Sequence, residues 1–415
     1  MMKDEKRVDG STFCFGSPTT MKTNAGRKRS IVAVSPLATL ATVASAHMVH
    51  HICRDSLPVL FPVFRSEFSL SYAQLGLIAT GSLIALGLLQ LPASLFVKWV
   101  ARKTVLGVGF LLTSITTFLT GTAHSFQTLF LWQLLSGVSE STYHPMATSI
   151  IASRFPKERI GGAMGIHVSG GSIGGIVGPV LMVFLVTLLD WRSGLYILAI
   201  PSLVMGIAVI LLLKDEKTTG APQPFRLAIE ALSTLRDRRV AAVLATSAAG
   251  TFGIGSIRSF TSAYLVGERN ASLIQSGTLY SLMVAGGLVG SVVFGYLSDR
   301  LPRRTMLATL FFLFSISVFI LAFPSSLIVL AALLFVVGAT VFGTVPILQA
   351  MIISSTRPEL QDAILGVYFT SDFVFLGLGP LITGVLIDMA GFSWMFYTIS
   401  LLALGASIHS LSLRQ

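Results

Sequence analysis

Five charged residues stand inside long apolar stretches of this 415-residue chain: Arg54, Asp55, Glu140, Arg258 and Asp372. If those stretches cross a membrane, each ionised side chain costs about 2.5–3.5 kcal/mol at the bilayer centre on insertion scales. Such residues therefore usually face a partner charge or a water-filled cavity. Their chemistry there is ion pairing, the binding of charged solutes, and the uptake and release of protons.

Histidines accompany these charges, and an imidazole changes its charge near neutral pH. His47, His51 and His144 are candidates for proton transfer, and His50 and His167 lie in the same apolar stretches. A single helical histidine is more often a packing residue, so we expect only one or two to act. His47, His50 and His51 have i, i+3 and i+4 spacing, but no cysteine or carboxylate completes a metal site on that face. We predict no metal and no cofactor.

At about 100° per residue, polar residues of three apolar stretches fall on one face of each helix. Three such faces predict a shared, wet space. Asp55 lies beside the first face and next to Arg54, so it either joins the site or only neutralises its neighbour. Glu140 is either a proton carrier or a structural partner of Arg54 or Arg258. The faces are His47, His50, His51, Arg54 and Pro58; Gln133, Ser136, Gly137, Glu140 and His144; and Thr251, Gly255, Arg258 and Ser262.

The composition predicts that these faces belong to membrane-spanning helices. Hydrophobic residues make up 53% of the chain and charged residues 11%, whereas soluble domains carry about 25% charged residues. The mean hydropathy is +0.80. Twelve apolar runs are long enough to cross a bilayer. They are 32–63, 73–100, 104–123, 126–152, 160–189, 194–213, 240–265, 273–298, 305–323, 326–353, 362–389 and 394–412.

The net charge of +11 is distributed as in an integral membrane protein, which argues against nucleic acid as a partner. If the N-terminus is cytoplasmic, 24 of the 29 lysines and arginines lie in cytoplasmic segments. The opposite face then holds only Arg65, Arg192 and Arg269. Because Lys and Arg accumulate on the cytoplasmic side, we predict a multi-pass protein of the plasma (inner) membrane with both termini cytoplasmic.

The first 31 residues are polar and predict a disordered cytoplasmic tail, with translation starting at Met1 or Met21. Cys14 in this tail and Cys53 in the first apolar run cannot sensibly pair, so no disulfide framework is expected.

An offset of 201 residues aligns the two halves of the chain, which predicts an internal duplication with parallel topology. The coincidences are Arg102-Lys103 with Arg303-Arg304, Pro145 with Pro346, Gly165 with Gly366, Gly178-Pro179 with Gly379-Pro380, and Tyr196 with Tyr397. We predict an all-α membrane protein of two pseudo-symmetric six-helix bundles. The segments are a tail (1–31), an N-terminal bundle (32–213), a cytoplasmic linker (214–239) and a C-terminal bundle (240–412).

The loop after the eighth run resembles the loop signature of the major facilitator superfamily of transporters. It reads Gly-Tyr-Leu-Ser-Asp-Arg-Leu-Pro-Arg-Arg from Gly295. The resemblance implies the fold of that superfamily and assigns a conformational latch to Asp299, Arg300, Arg303 and Arg304. The copy after the second run departs from the signature, with Ser94, Lys98 and Trp99 where Gly, Asp and Arg are expected.

The fifth run resembles the Gly-Pro motif of antiporters in this superfamily, with Gly174, Gly178 and Pro179. We expect these residues mainly to let helices approach closely, and the resemblance adds a gating role. A narrower resemblance is to transporters of the fosmidomycin-resistance type. It rests on His47, Pro58 and Pro62 in the first run, Tyr143-His144-Pro145 in the fourth and Gly170-Gly171 with Gly174 in the fifth, while His51 replaces an expected Asp.

These features predict a secondary transporter that works by alternating access, with a small molecule and protons as partners and a monomer as the family default. The favoured hypothesis is proton-coupled export of a drug or metabolite by antiport. The alternative is proton-coupled import of a small organic anion, and a third is a membrane sensor that keeps the fold. No Gly-rich loop with Lys-Ser/Thr is present, so an enzyme or an ATP-driven pump is not expected.

Overall fold

The computed structural model describes residues 35–95, 99–156, 159–214, 233–323, 326–357 and 360–413, which form fourteen α-helices. The helices of the N-terminal half are α1 (Pro36–Asp55), α2 (Phe61–Phe68), α3 (Tyr72–Leu95), α4 (Arg102–Gly121), α5 (Phe126–Glu140), α6 (Tyr143–Arg154), α7 (Ile160–Leu188) and α8 (Trp191–Leu212). The helices of the C-terminal half are α9 (Arg238–Gly267), α10 (Leu273–Leu297), α11 (Arg303–Leu321), α12 (Leu327–Ser354), α13 (Gln361–Ala390) and α14 (Phe392–Ser412).

Ten of these helices are long and apolar enough to cross a membrane by themselves. The first and fourth predicted spans are each divided into two shorter helices, which brings the total to twelve spans. A turn around Pro58–Leu60 separates α1 from α2, and Ser141 and Thr142 separate α5 from α6. Neither of these two spans is therefore one continuous helix. Proline at 58 lacks the N–H that a continuous helix would need.

The two halves repeat each other helix by helix. Four helices of the C-terminal half begin 201 residues after their counterparts in the N-terminal half. The paired first residues are Tyr72 and Leu273, Arg102 and Arg303, Ile160 and Gln361, and Trp191 and Phe392. The predicted fold class, an all-α protein of twelve spans in two pseudo-symmetric bundles, is confirmed.

The halves are joined at one end of the molecule, called here the closed end, where α2 ends and α3 begins. Phe61 and Tyr72 of the N-terminal half both pack against Phe260 of α9. The Asp388 carboxylate of α13 accepts hydrogen bonds from the backbone N–H groups of Tyr72 and Ala73, at 2.9 and 2.8 Å. Polar and apolar contacts thus close this end together.

Further hydrogen bonds cross between the halves along the central helices. Thr80 of α3 donates to the Gly377 carbonyl of α13 at 2.6 Å. Ser281 of α10 donates to the Ile176 carbonyl of α7 at 2.7 Å. Hydroxyl-to-carbonyl bonds of this kind satisfy the side chain without a charge, as helix interfaces in membranes require.

The halves part at the other end, called here the open end, where α7 and α13 begin. The apolar core at this end of the N-terminal half contains residues of that half alone, among them Phe110, Tyr143 and Ile150. A Cβ atom added at Gly162 of α7 or Gly366 of α13 would meet no atom within 4 Å. The molecule therefore has a central space that opens toward the end that carries the first residues of α1 and α9.

The predicted tail 1–31 and most of the predicted linker 214–239 lie outside the described residues, as do Cys14, Met21 and Lys98. The predicted domain boundaries thus stay predictions. Cys53 is buried, and its thiol lies 3.1 Å from the Ser202 hydroxyl of α8.

Candidate functional site

Glycines of α7 set the distance between α7 and α1. Gly170, Gly174 and Gly178 lie against the backbone of α1, and a Cβ atom at any of them would collide with a carbonyl oxygen. At Gly178 the distance from such a Cβ to the Ile52 oxygen would be 2.7 Å. Gly174 and Gly178 therefore have the packing geometry that the sequence predicts. Pro179 follows Gly178 inside the same helix.

Two further glycines of α7 leave room for polar side chains of α1. A Cβ atom at Gly171 would lie 2.6 Å from the His47 ring, and one at Gly175 would lie 2.8 Å from Asp55 Oδ2. The glycine-rich stretch of α7 thus does more than bring two helices together. It accommodates the imidazole and the carboxylate that occupy the centre of the protein.

Asp55 joins the two halves electrostatically. Its carboxylate forms an ion pair with the Arg258 guanidinium of α9, although the two residues are 203 positions apart. Asp55 Oδ2 also lies 3.0 Å from His51 Nδ1, and Arg258 Nε donates to the Tyr280 hydroxyl of α10 at 3.1 Å. Asp55 is only 2% exposed. A buried carboxylate is tolerable when it is paired and hydrogen-bonded in this way.

This pairing decides between two sequence interpretations. Asp55 does not serve only to neutralise Arg54, because its direct partner is Arg258. The sequence pattern places Asp55 outside the polar face of α1, yet it is rotated by only about 40° from His51 four residues earlier. A slightly wider definition of the polar face of the first run would have included Asp55.

Arg54 lines the same cavity and has different neighbours. Its guanidinium lies over the Phe373 ring of α13, 5.3 Å from the ring centroid. Arg54 forms no ion pair with Asp55 or Glu140 among the described residues, and the partners of Asp55 are His51 and Arg258. The sequence allowed Glu140 to partner either arginine, and among the described residues it forms an ion pair with neither.

Glu140 is a buried carboxylate, 5% exposed, at the last turn of α5. Its Oε1 atom accepts a hydrogen bond from Ser136 at 3.1 Å. Its Oε2 atom is buried and has no hydrogen-bond partner among the described residues. A half-satisfied buried carboxylate is costly when ionised, so this position suits a group that changes its protonation state.

A cavity of about 60 Å³ lies between the halves at the level of Arg54, Asp55 and Arg258. These three side chains and Tyr280 supply its polar wall, and Ser82 of α3 adds a hydroxyl. The apolar wall consists of Leu57, Pro58, Phe61, Leu83 and Leu376. Two guanidinium groups and one carboxylate thus give the cavity lining a net positive charge.

The histidines form a ring cluster between this cavity and the open end. The His47 ring stacks on His167 of α7 at 4.2 Å between centroids, and the His50 ring stacks on Tyr143 of α6 at 4.7 Å. His144 approaches His47 and His50 edge-on. His47 Nδ1 donates to the His167 carbonyl at 2.8 Å. His50, His167 and Tyr143 were not predicted as site residues, although their spacing places them near those that were.

No group of three or more histidine, cysteine, aspartate or glutamate residues in the described part of the chain could hold a metal ion. The imidazoles stack face to face or edge to face rather than converging on one point. This arrangement favours packing and hydrogen bonding over coordination.

Asp372 is not in the central cavity but lies closer to the open end. Its Oδ1 atom accepts a hydrogen bond from Ser247 of α9 at 2.7 Å. The residues of the predicted latch follow α10 at the open end, where Asp299, Arg300 and Arg304 are exposed and Arg303 begins α11. Arg300 lies over the ring of Tyr296 in the last turn of α10. The latch role of these residues stays a prediction.

Comparison with known proteins places this geometry in a family. The sequence profile described as Major Facilitator Superfamily matches residues 43–372 and 251–414. The probable L-galactonate transporter of Escherichia coli is 21% identical over 83% of this chain and 81% of its own length. The probable sulfoacetate transporter of Cupriavidus necator is 26% identical over 64% of this chain and 65% of its own length.

A solved structure has the same fold. A bacterial homologue of the human lysosomal transporter Spinster, in an inward-facing and occupied conformation, superposes with a TM-score of 0.77. The alignment covers 90% of this chain and 96% of that one at 17% identity. The fosmidomycin resistance protein of Escherichia coli is 22% identical over 84% of this chain and 86% of its own length. The narrower resemblance is therefore no stronger than that to relatives with other names.

Proposed function

Because the chain belongs to the Major Facilitator Superfamily and is a multi-pass secondary transporter, we propose that it moves a small organic anion together with protons. The substrate binds in the central cavity, with Arg54 as its main charged contact. Glu140 carries a proton. The two halves rock around this site so that it opens to each side in turn.

The observation that carries the proposal is the difference between the two arginines of the cavity. Arg258 is neutralised by its ion pair with Asp55. Arg54 lies over an aromatic ring and forms no ion pair among the described residues. Arg54 is thus the cationic group that an entering anion can bind, and a guanidinium matches a carboxylate, sulfonate or phosphonate group well.

The protonation state of Glu140 couples the proton to the anion. An ionised Glu140 attracts the Arg54 guanidinium and competes with an arriving anion. A protonated Glu140 leaves Arg54 to the anion, so the proton and the anion each favour the binding of the other. Ligands that bind best together cross the membrane in the same direction. The geometry therefore supports symport, which is the alternative that the sequence left open.

The names of two relatives support an anionic substrate. They are named for L-galactonate and sulfoacetate. The first of these compounds carries a carboxylate, and the second carries a carboxylate and a sulfonate. Both are small enough to make their main contact through one guanidinium.

Export by antiport is the competing function, and the Gly174–Pro179 motif of α7 favours it. In an antiporter, the solute and the proton compete for the same group. A cationic solute at Glu140 would meet that condition, whereas an anion at Arg54 does not. The direction in which protons move relative to the solute therefore distinguishes the two functions.

The orientation follows from the charge distribution. Basic side chains of the described residues concentrate at the open end, among them Arg102, Arg159, Arg239 and Arg304, and we propose that this end faces the cytoplasm with both termini, in the plasma membrane. The conformation described here would then be inward-open. We propose a monomer as the working unit, because the cavity is formed within one chain.

Flux in proteoliposomes with a pH-sensitive dye inside tests the proposal. The panel contains L-galactonate, sulfoacetate, fosmidomycin and a lipophilic cation. We expect an inward gradient of an anion to acidify the lumen, and we expect Arg54→Gln to abolish this signal. Glu140→Gln should move fewer protons for each anion than wild type but keep exchange of the anion across the membrane. Arg239→Gln, which changes an exposed arginine at the start of α9, is the control.

Alkalinisation of the lumen by an inward gradient of any panel member would establish antiport and overturn the proposed coupling. Unchanged anion flux in Arg54→Gln would overturn the assignment of the binding residue.

A further inference from the structure

Asp372 lies deep in the C-terminal half without a countercharge. It follows the first residue of α13 by eleven positions, or about 17 Å of helix. It is partly buried against α9, where Ser247 donates a hydrogen bond to its carboxylate. No lysine, arginine or histidine among the described residues forms an ion pair with it.

Asp372 differs from Asp55 in the charge of its partners. Asp55 has both Arg258 and His51 as partners, so its ionised form is matched by positive charge. Asp372 has only hydroxyl groups. An ionised carboxylate in a membrane span without a partner charge is costly, and such residues are by default functional. Asp372 thus has no structural ion pair to explain its presence.

The hydroxyl groups around Asp372 suit both of its protonation states. Ser247 Oγ lies 2.7 Å from Asp372 Oδ1 and 3.0 Å from the Tyr368 hydroxyl, and Tyr368 is fully buried. When Asp372 is ionised, Tyr368 can donate to Ser247 and Ser247 to the carboxylate. When Asp372 is protonated, it can donate to Ser247 and Ser247 to Tyr368. Because hydroxyl groups both donate and accept, the heavy atoms need not move.

Asp372 is also connected to the proposed substrate site. Phe373 is the next residue of α13, and the Arg54 guanidinium lies over its ring. A rotation of α13 as an anion binds Arg54 would move Phe373 and Asp372 together. The carboxylate in the C-terminal half would then respond to the occupancy of a site that is formed largely by the N-terminal half.

We infer that Asp372 is a second proton carrier, which takes up and releases one proton in each transport cycle independently of Glu140. The inference rests on the proposed function and adds its stoichiometry, namely two protons for each anion. For an anion of charge minus one, the cycle moves one net positive charge with the substrate. Uptake then responds to the membrane potential as well as to the pH gradient.

Infrared difference spectroscopy during a pH titration tests proton uptake without any substrate. Wild type in proteoliposomes should show the carbonyl band of protonated carboxyl groups growing as the pH falls. Asp372→Asn should remove one component of this band and Glu140→Gln a different one. Glu268→Gln, which changes an exposed carboxylate after α9, should leave both unchanged. An Asp372→Asn spectrum identical to wild type would overturn the inference.

The flux arm uses the panel anion with the largest transport rate. The ratio of protons to anion should fall from two in wild type to one in Asp372→Asn. Exchange of labelled anion at the wild-type rate shows that the variant is folded. An unchanged ratio overturns the role of Asp372 and leaves the proposed symport intact. If no panel anion is transported, the proposed function fails, and the infrared result decides alone whether Asp372 takes up a proton.

Discussion

Asp55 of α1 and Arg258 of α9 form an ion pair that connects the two halves of the chain at the central cavity. Each residue reaches the pair from a different half, so the contact exists only when the halves are in register. His51 and Tyr280 complete the shell around it. In the proposed function, this pair makes Arg258 a structural charge and leaves Arg54 to bind the substrate.

The pair predicts a strong asymmetry between single and double substitutions. Asp55→Asn leaves the Arg258 guanidinium buried without its partner, and removal of one partner of a buried pair typically costs about 3–5 kcal/mol. Asp55→Asn combined with Arg258→Gln removes both charges and should cost less than the sum of the single changes. Thermal unfolding of the purified variants in detergent measures this difference. Additive losses in the double variant would contradict a direct pair.

The glycine stretch of α7 predicts a second effect on the same pair. Gly175→Ala places a methyl group 2.8 Å from Asp55 Oδ2, so the carboxylate that holds His51 and Arg258 must shift. We expect anion flux to fall by about tenfold or more, since each 1.4 kcal/mol corresponds to a factor of ten. Gly162→Ala is the matched control on the same helix, because its methyl group meets no atom within 4 Å. Equal flux in the two variants would contradict the predicted crowding.

The closed end predicts a shift in conformation when Asp388 is changed. Its carboxylate supplies two hydrogen bonds to the N-terminus of α3 in the other half, and a helix N-cap contributes about 0.5–2 kcal/mol. Asp388→Ala should therefore increase the population in which the closed end is open. Spin labels at positions 69 and 391, in a background without reactive cysteine, should report a larger share of long distances.

Asp190 provides the control for this experiment. It caps the N-terminus of α8 within the N-terminal half, through hydrogen bonds from the backbone N–H groups of Arg192 and Ser193. Asp190→Ala removes a cap of the same type at the same end without crossing between the halves. A similar distance change in both variants would show that Asp388 has no special role in closure.

The contact between Arg54 and Phe373 predicts an effect on substrate affinity. Phe373→Leu removes the aromatic face from the guanidinium, and a cation–π contact contributes about 0.5–2 kcal/mol. The KM for the transported anion should change several-fold, whereas Phe373→Tyr should preserve it. Phe369→Leu changes an exposed ring one turn earlier and serves as the control. A KM unaffected by Phe373→Leu would place the substrate away from Arg54.

Much of the architecture could be predicted because the bilayer restricts the possible folds. A spanning segment must satisfy all its backbone hydrogen bonds internally, so long apolar runs become helices. The 201-residue offset that aligns Arg102 with Arg303 in the sequence also separates the first residues of four pairs of corresponding helices. The polar faces of the first and seventh runs meet at one cavity, which Arg54 and Arg258 line, whereas no residue of the predicted face of the fourth run lines it.

The sequence by itself determined the number of spans, the duplication and the set of residues that could carry charge through the membrane. Only the tertiary structure decided which of these residues meet. The Asp55–Arg258 pair and the Asp388 cap of α3 join residues more than 200 positions apart. Such contacts depend on the rotation and tilt of each helix, and those follow from close packing at particular glycines, such as Gly174 and Gly175 of α7. Periodicity along one helix carries no information about the helix that faces it.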